Sequence, residues 1–209
     1  MIEFFEIKNT VFEIIGYQLS FVEFIGTLFG LISVYYASQA NILTWPTGIV
    51  NEIFLLVLFF QIQLYPDMFL QIYFFVVTIY GWYNWNTKSS INKVAETSLK
   101  INILIGSTIL LGTLVSGFLF NKIHLYLPEY FKIQAAYPFI DSFVMVTSII
   151  ATVLLARKKI ENWYLWIAVD VVCVVLYFKK GIYFLSLEYV IFLGLASYGF
   201  YHWRKQLKE

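Results

Sequence analysis

In the sixth apolar stretch of this sequence, Trp163, Trp166, Asp170 and Tyr177 follow one another at intervals of three, four and seven residues. At about 100° per residue, an α-helix brings these positions onto one face. That face carries two indoles, a carboxylate and a phenol. A carboxylate flanked by aromatic rings is a good receiver for a flat organic cation, with the ring faces supplying cation–π attraction and the carboxylate the counter-charge. An interfacial belt explains Trp163 equally well, because Arg157, Lys158 and Lys159 lie close before it. Asp170 has no belt explanation. Its alternative is a structural hydrogen bond to a neighbouring helix.

Other stretches add polar groups at comparable depth. The second holds Trp45, Asn51, Glu52 and Gln61, with Gln63 just past its end. The third has Gln71, Tyr73 and Thr78, and the seventh has Ser186, Glu188 and Tyr189. Amides and hydroxyls here suit the hydroxyls of a sugar or another polar tail. Hydrogen bonds between helices account for them as well. The candidate binding set is therefore Trp163, Trp166, Asp170, Tyr177, Asn51, Glu52, Gln61, Gln71 and Glu188. Asp141 and Glu23 fall near segment ends, where helix dipoles favour acidic side chains. His124 and His202 are isolated, and no G-x-x-x-x-G-K-[ST], H-E-x-x-H or G-x-S-x-G pattern occurs. Neither a catalytic centre, a metal site nor a cofactor site is expected.

The elements that must carry these residues follow from composition. Of 209 residues, 60% are hydrophobic and only 13% charged. Soluble domains have roughly 25% charged residues, so lipid must act as solvent for most of the outer surface. The net charge of +1 offers no basic face for nucleic acid. Seven segments approach the length that crosses a bilayer, near 19–37, 41–61, 66–85, 100–120, 139–156, 160–178 and 182–203. Lipid cannot satisfy exposed backbone groups, so they must be helices. A short interfacial helix is expected over residues 3–17, with no signal-peptide pattern around it. Lys88, Lys93, Lys100, Arg157, Lys158, Lys159, Arg204, Lys205 and Lys208 lie on one side, against Lys8, Lys122, Lys132, Lys179 and Lys180 on the other. The richer side is expected to be cytoplasmic. That places the C-terminus inside and the N-terminus outside.

The chain also matches itself at an offset of 118 residues, without a gap between 23 and 85. Trp45 falls on Trp163, Glu52 on Asp170 and Gln71 on Tyr189. Tyr80, Gly81, Tyr83 and Trp85 fall on Tyr198, Gly199, Tyr201 and Trp203. The expected fold is an all-α membrane protein of 3+1+3 helices. Residues 1–18 form an N-terminal interfacial segment, 19–85 the first triplet, 86–138 a linker with the fourth helix, 139–203 the second triplet and 204–209 a tail. Four crossings separate equivalent helices, so the repeat is parallel, as in SWEET transporters, with a substrate site near the midplane between the halves. This points to a transporter rather than an enzyme. A membrane enzyme would need an acid–base pair such as Asp141 with Glu188. A proton-coupled carrier would use Asp170 or Glu52.

The motifs F-F-Q-I-Q-L-Y (Phe59–Tyr65), Y-G-W-Y-x-W (Tyr80–Trp85), P-F-x-D-S (Pro138–Ser142), E-N-W-x-x-W (Glu161–Trp166) and S-L-E-Y (Ser186–Tyr189) span nearly the whole chain. Together they resemble the PnuC family of bacterial vitamin transporters. The resemblance implies an inner-membrane protein that takes up nicotinamide riboside by facilitated diffusion, with trapping by a cytoplasmic kinase, and homotrimers. Riboside transporters of this family look like W-x-x-x-N-x-x-x-x-x-x-Y in the sixth span. Here Trp166, Asp170 and Tyr177 fit that frame, with Asp in place of Asn. Relatives carry thiamine or riboflavin. A carboxylate suits the cationic rings of nicotinamide riboside and thiamine better than neutral riboflavin, which leaves thiamine as the alternative substrate.

Overall fold

The computed structural model describes residues 6, 10–14, 16–61, 65–87, 93–129 and 134–208. Gln63 and the basic residues Lys8, Lys88 and Lys132 lie outside them. Seven helices follow a short hairpin: α1 (Phe21–Ser38), α2 (Thr44–Gln61), α3 (Tyr65–Thr87), α4 (Leu99–Tyr126), α5 (Pro138–Ala156), α6 (Glu161–Lys179) and α7 (Tyr183–Gln206). Among the described residues, six of these helices are long and apolar enough to cross a membrane. The exception, α3, has the length at 23 residues, but Tyr, Trp, Asn and Gln make up much of its sequence.

Each apolar stretch has its helix. The largest extension is α4, which continues through Tyr126 rather than ending near residue 120. Nothing in Asn121–Tyr126 breaks a helix, and proline comes only at Pro128. The helix expected over residues 3–17 is not what the described part forms. Strands β1 (Thr10–Ile14) and β2 (Tyr17–Ser20) pair antiparallel instead. Thr, Val, Phe and Ile favour extended backbone. Gly16, at φ 74°, supplies a positive φ at the turn that side chains resist. The hairpin leads directly into α1, where Ser20 caps the helix by accepting from the Glu23 N–H at 3.2 Å.

Two sets of helices pack consecutively, α1 on α2 on α3 and α5 on α6 on α7. The sets meet where α1 lies on α7 and α3 on α5, while α4 packs on α5. Exposed Leu104, Leu111 and Val115 turn α4 outward.

The turns before α2 and α6 have the same construction. Ala40 and Lys158 take φ values of 52° and 51°. The Asn41 N–H donates to the Tyr36 carbonyl and the Lys159 N–H to the Leu154 carbonyl, both at 2.9 Å. Just beyond, the Trp45 ring lies on Gly81 and the Trp163 ring on Gly199. A Cβ at either glycine would come within 2.3 or 2.6 Å of the indole. Buried Trp85 and Trp203 complete this aromatic core. The loop before α4 is tied to the same region, since Ala95 N–H donates to the Lys158 carbonyl and Ile160 N–H to the Ala95 carbonyl. The Lys158 amine lies 4.3 Å from the centre of the Trp85 ring, and partial burial holds it below the usual lysine range.

Candidate substrate cavity

A cavity of about 300 Å³ lies between the two helix sets, with walls from α1, α2, α3, α5, α6 and α7. Helix α2 brings Trp45, Gly48 and Glu52 to it, and α6 brings Trp163, Trp166 and Asp170. These are the same i, i+3, i+7 positions on both helices. The side chains differ at one of them, where Gly48 leaves open what the Trp166 ring fills. The space between the sets is therefore lopsided, with an aromatic wall on the α6 side.

Glu52 and Asp170 sit at the middle of their helices, which run 18 and 19 residues. They are 7% and 3% exposed. The Thr78 hydroxyl donates to Glu52 Oε1 at 2.5 Å, while Glu52 Oε2 has no hydrogen-bond partner among the described residues. Glu188 enters the cavity from α7, opposite the Thr27 hydroxyl of α1. Three carboxyl groups thus face one space, and among the described residues no lysine, arginine or histidine lines it. Burying a carboxylate without a positive partner is costly. A bound cation would offset that cost.

Seven of the nine sequence candidates line the cavity: Trp163, Trp166, Asp170, Asn51, Glu52, Gln71 and Glu188. Asn51 does so with its amide already engaged, because Nδ2 donates to the Gly26 carbonyl at 2.7 Å and ties α2 to α1. Gln61 does not line it. It is the last residue of α2, more than two turns beyond Glu52, and exposed. Tyr177 does not line it either. It shares the α6 face with Asp170 but lies two turns further along, and its ring is stacked on Tyr189 at 5.4 Å. Tyr189 is the phenol that reaches the cavity. The hydroxyls of Thr27, Ser33 and Thr152 also line it. Nothing in the sequence singles these three out, since isolated Ser and Thr in apolar helices commonly bond back to their own backbone. Asp141 pairs with Lys180 at 3.5 Å in the first turn of α5 and does not line the cavity that Glu188 faces.

The family model described as "Nicotinamide mononucleotide transporter" matches residues 20–205. The nicotinamide riboside transporter PnuC of Escherichia coli K12 is 34% identical over 234 residues, covering 99% of this chain and 96% of its own. The riboflavin/roseoflavin transporter RibM of Streptomyces davaonensis is 25% identical, covering 94% and 91%. The PnuC of Neisseria mucosa is 26% identical, covering 91% and 74%. A crystal structure of the vitamin B3 transporter PnuC superposes with a TM-score of 0.66 at 23% identity, covering 88% of this chain and 80% of that one. That likeness establishes the shared fold.

Proposed function

The chain belongs to the PnuC-type nicotinamide mononucleotide transporter family, and from that premise we propose that it takes up nicotinamide riboside by facilitated diffusion. The observation that carries this reading is Asp170, a buried acid at the centre of α6, set beside Trp166 in a cavity that no basic residue lines among the described residues. The pyridinium ring would stack on the Trp166 face with Asp170 as counter-charge. Gln71, Tyr189 and Thr78 are polar groups within reach of the ribose and carboxamide. Three acids repel a phosphate, which favours the riboside over the mononucleotide. Neutral riboflavin leaves the acids without a counter-charge. Thiamine, also a flat cation, remains the alternative.

The carrier is read as two parallel triplets, α1–α3 and α5–α7, joined by α4. The matched turns at Ala40 and Lys158 and the matched indole–glycine contacts support that reading. Alternating access then amounts to rocking of one triplet against the other around the cavity. Phosphorylation by a cytoplasmic kinase gives the flow its direction. The C-terminus lies inside, with the basic loops. The outward face of α4 is the surface on which a homotrimer would assemble.

Isothermal titration of purified protein tests the substrate. Nicotinamide riboside should bind, its mononucleotide and riboflavin at least tenfold more weakly. Tighter binding of the mononucleotide would overturn the reading, and tighter binding of thiamine would replace the substrate. A second reading, proton coupling, is favoured by there being three acids for one ligand charge. It predicts uptake driven by an imposed pH gradient in vesicles, which a uniporter would not show.

A further inference from the structure

We propose that Trp85 and Trp203 form the inner gate of the carrier, a reciprocal clasp that seals the cavity on the side of the basic loops. The proposal rests on the carrier reading and concerns residues outside the cavity lining. Trp203 Nε1 of α7 donates to the Ala37 carbonyl at the end of α1, at 3.0 Å. Trp85 Nε1 of α3 donates to the Ala156 carbonyl at the end of α5, at 3.1 Å. Each bond therefore reaches from one triplet to the other, in opposite directions.

The rings form a continuous row. Trp45 meets Trp85 at 5.0 Å, Trp85 meets Trp203 at 6.2 Å, and Trp203 meets Trp163 at 5.5 Å. All four are buried, with Trp203 fully so. Trp45, Trp163 and Ala37 line the cavity on one side of this row. On the other side Lys158 lies over Trp85. The row thus separates the cavity from the basic α5–α6 turn.

The row has a built-in seam. Within each triplet the contact is edge-to-face, at 87° for Trp45 with Trp85 and 90° for Trp163 with Trp203. Each outer ring is also held against its glycine, Gly81 or Gly199. Between triplets, the Trp85–Trp203 contact is longer and tilted by 50°. The two indole N–H bonds cross at this seam, joined by Asn84 Nδ2 donating to the Ala156 carbonyl at 2.8 Å. Opening toward the basic side parts the seam and leaves each indole pair intact with its own triplet. The N–H bonds are what such an opening must break, since rings slide apart more readily than buried donors give up acceptors.

The test is sided thiol labelling. In a Cys173→Ser background, Thr152→Cys places one thiol on the cavity wall. A charged, membrane-impermeant maleimide is then applied to inside-out and right-side-out vesicles. The double variant Trp85→Phe/Trp203→Phe keeps an aromatic ring at each position, though a smaller one, and removes both donors. It should label roughly tenfold faster from the inside, the scale set by losing two ordinary hydrogen bonds. Labelling from the outside should not rise. An unchanged inside rate, or a rise from both sides or from the outside only, overturns the gate. If the double variant does not assemble, Trp203→Phe alone is read by the same criteria. Labelling needs no substrate, so a chain that failed to bind nicotinamide riboside would still report on the gate. Titration with the riboside separately reports on the carrier reading.

Discussion

Asp170 lies at the point of α6 furthest from water at either end, and only a strong reason keeps an acid there. Among the described residues, no basic side chain lines the cavity to neutralise it. If it holds a cation, Asp170→Ala should weaken nicotinamide riboside binding at least tenfold by titration, because a desolvated charge contact is worth about 1.5–3 kcal/mol. Trp166→Ala should cost about 1–2 kcal/mol through lost cation–π contact and area. Tyr177 provides the contrast. Its ring lies against Tyr189, and the Lys180 amine is 5.6 Å from its centre. Tyr177→Phe keeps that stacking and should leave the affinity within about twofold. A tenfold loss there would mean that the cavity extends further along α6 than the lining residues indicate.

At the scale of elements, closeness of helices depends on missing side chains. The indoles of Trp45 and Trp163 occupy the space where Gly81 and Gly199 would carry a Cβ. Overpacking a well-filled site costs about 1–3 kcal/mol. Gly199→Ala should therefore lower the melting temperature of the solubilised protein. Gly194→Ala, in the same helix α7 with nothing near its Cβ position, should be neutral or stabilising. The N-terminal hairpin is held by a contact with the start of α7 and one with α1. Tyr17 stacks on Phe184 at 5.2 Å and its hydroxyl donates to Glu23 Oε1 at 2.6 Å. Burial first, and the Glu23 bond second, raise the Tyr17 phenol above its ordinary value of 10. A group whose folded pKa is raised stabilises fully below its unfolded pKa and loses that contribution as pH rises through the folded value. The stability gap between wild type and Tyr17→Phe should accordingly stay constant below pH 10 and narrow above it, as read from melting temperatures at stepped pH.

For the whole molecule, the decisive property is how the two triplets share one cavity. A uniporter needs no difference in affinity between its outward and inward states, because downstream trapping alone supplies direction. Proteoliposomes loaded with the matching kinase and ATP should accumulate labelled nicotinamide riboside. Empty vesicles should only equilibrate, and accumulation without a kinase would exclude the uniport mechanism. The row of indoles on the side of the basic loops is symmetrical in kind, with an indole pair from each helix set. The cavity above it is asymmetrical, because Gly48 and Trp166 occupy matching positions. If the proposed gate holds, a nearly symmetrical seal beneath a lopsided pocket would suit a carrier that rocks symmetrically yet binds an unsymmetrical ligand.

The sequence by itself determined the helices and much of the site's angular arrangement. Apolar runs of about 20 residues in lipid have one backbone solution, so the seven segments follow from composition. The i, i+3, i+7 spacing of Trp163, Trp166 and Asp170 places them on one face whatever surrounds them. Only the tertiary structure decided depth and partnership. Periodicity sets the angle around a helix axis but not the level at which neighbouring helices part, so Tyr177 shares the face of Asp170 and misses the cavity, while Gln61, nine residues past Glu52, lies both further along α2 and about half a turn round it. In the sequence Trp85 and Trp203 stand out only as a matched pair of the internal repeat; their partners, the carbonyls of Ala156 and Ala37, lie 71 and 166 residues away along the chain. The hairpin replaces an expected helix because its β-branched residues favour extended backbone and Tyr17 packs against Phe184 at the start of α7. Contacts between elements far apart in sequence settle such features, and no window along the chain contains them.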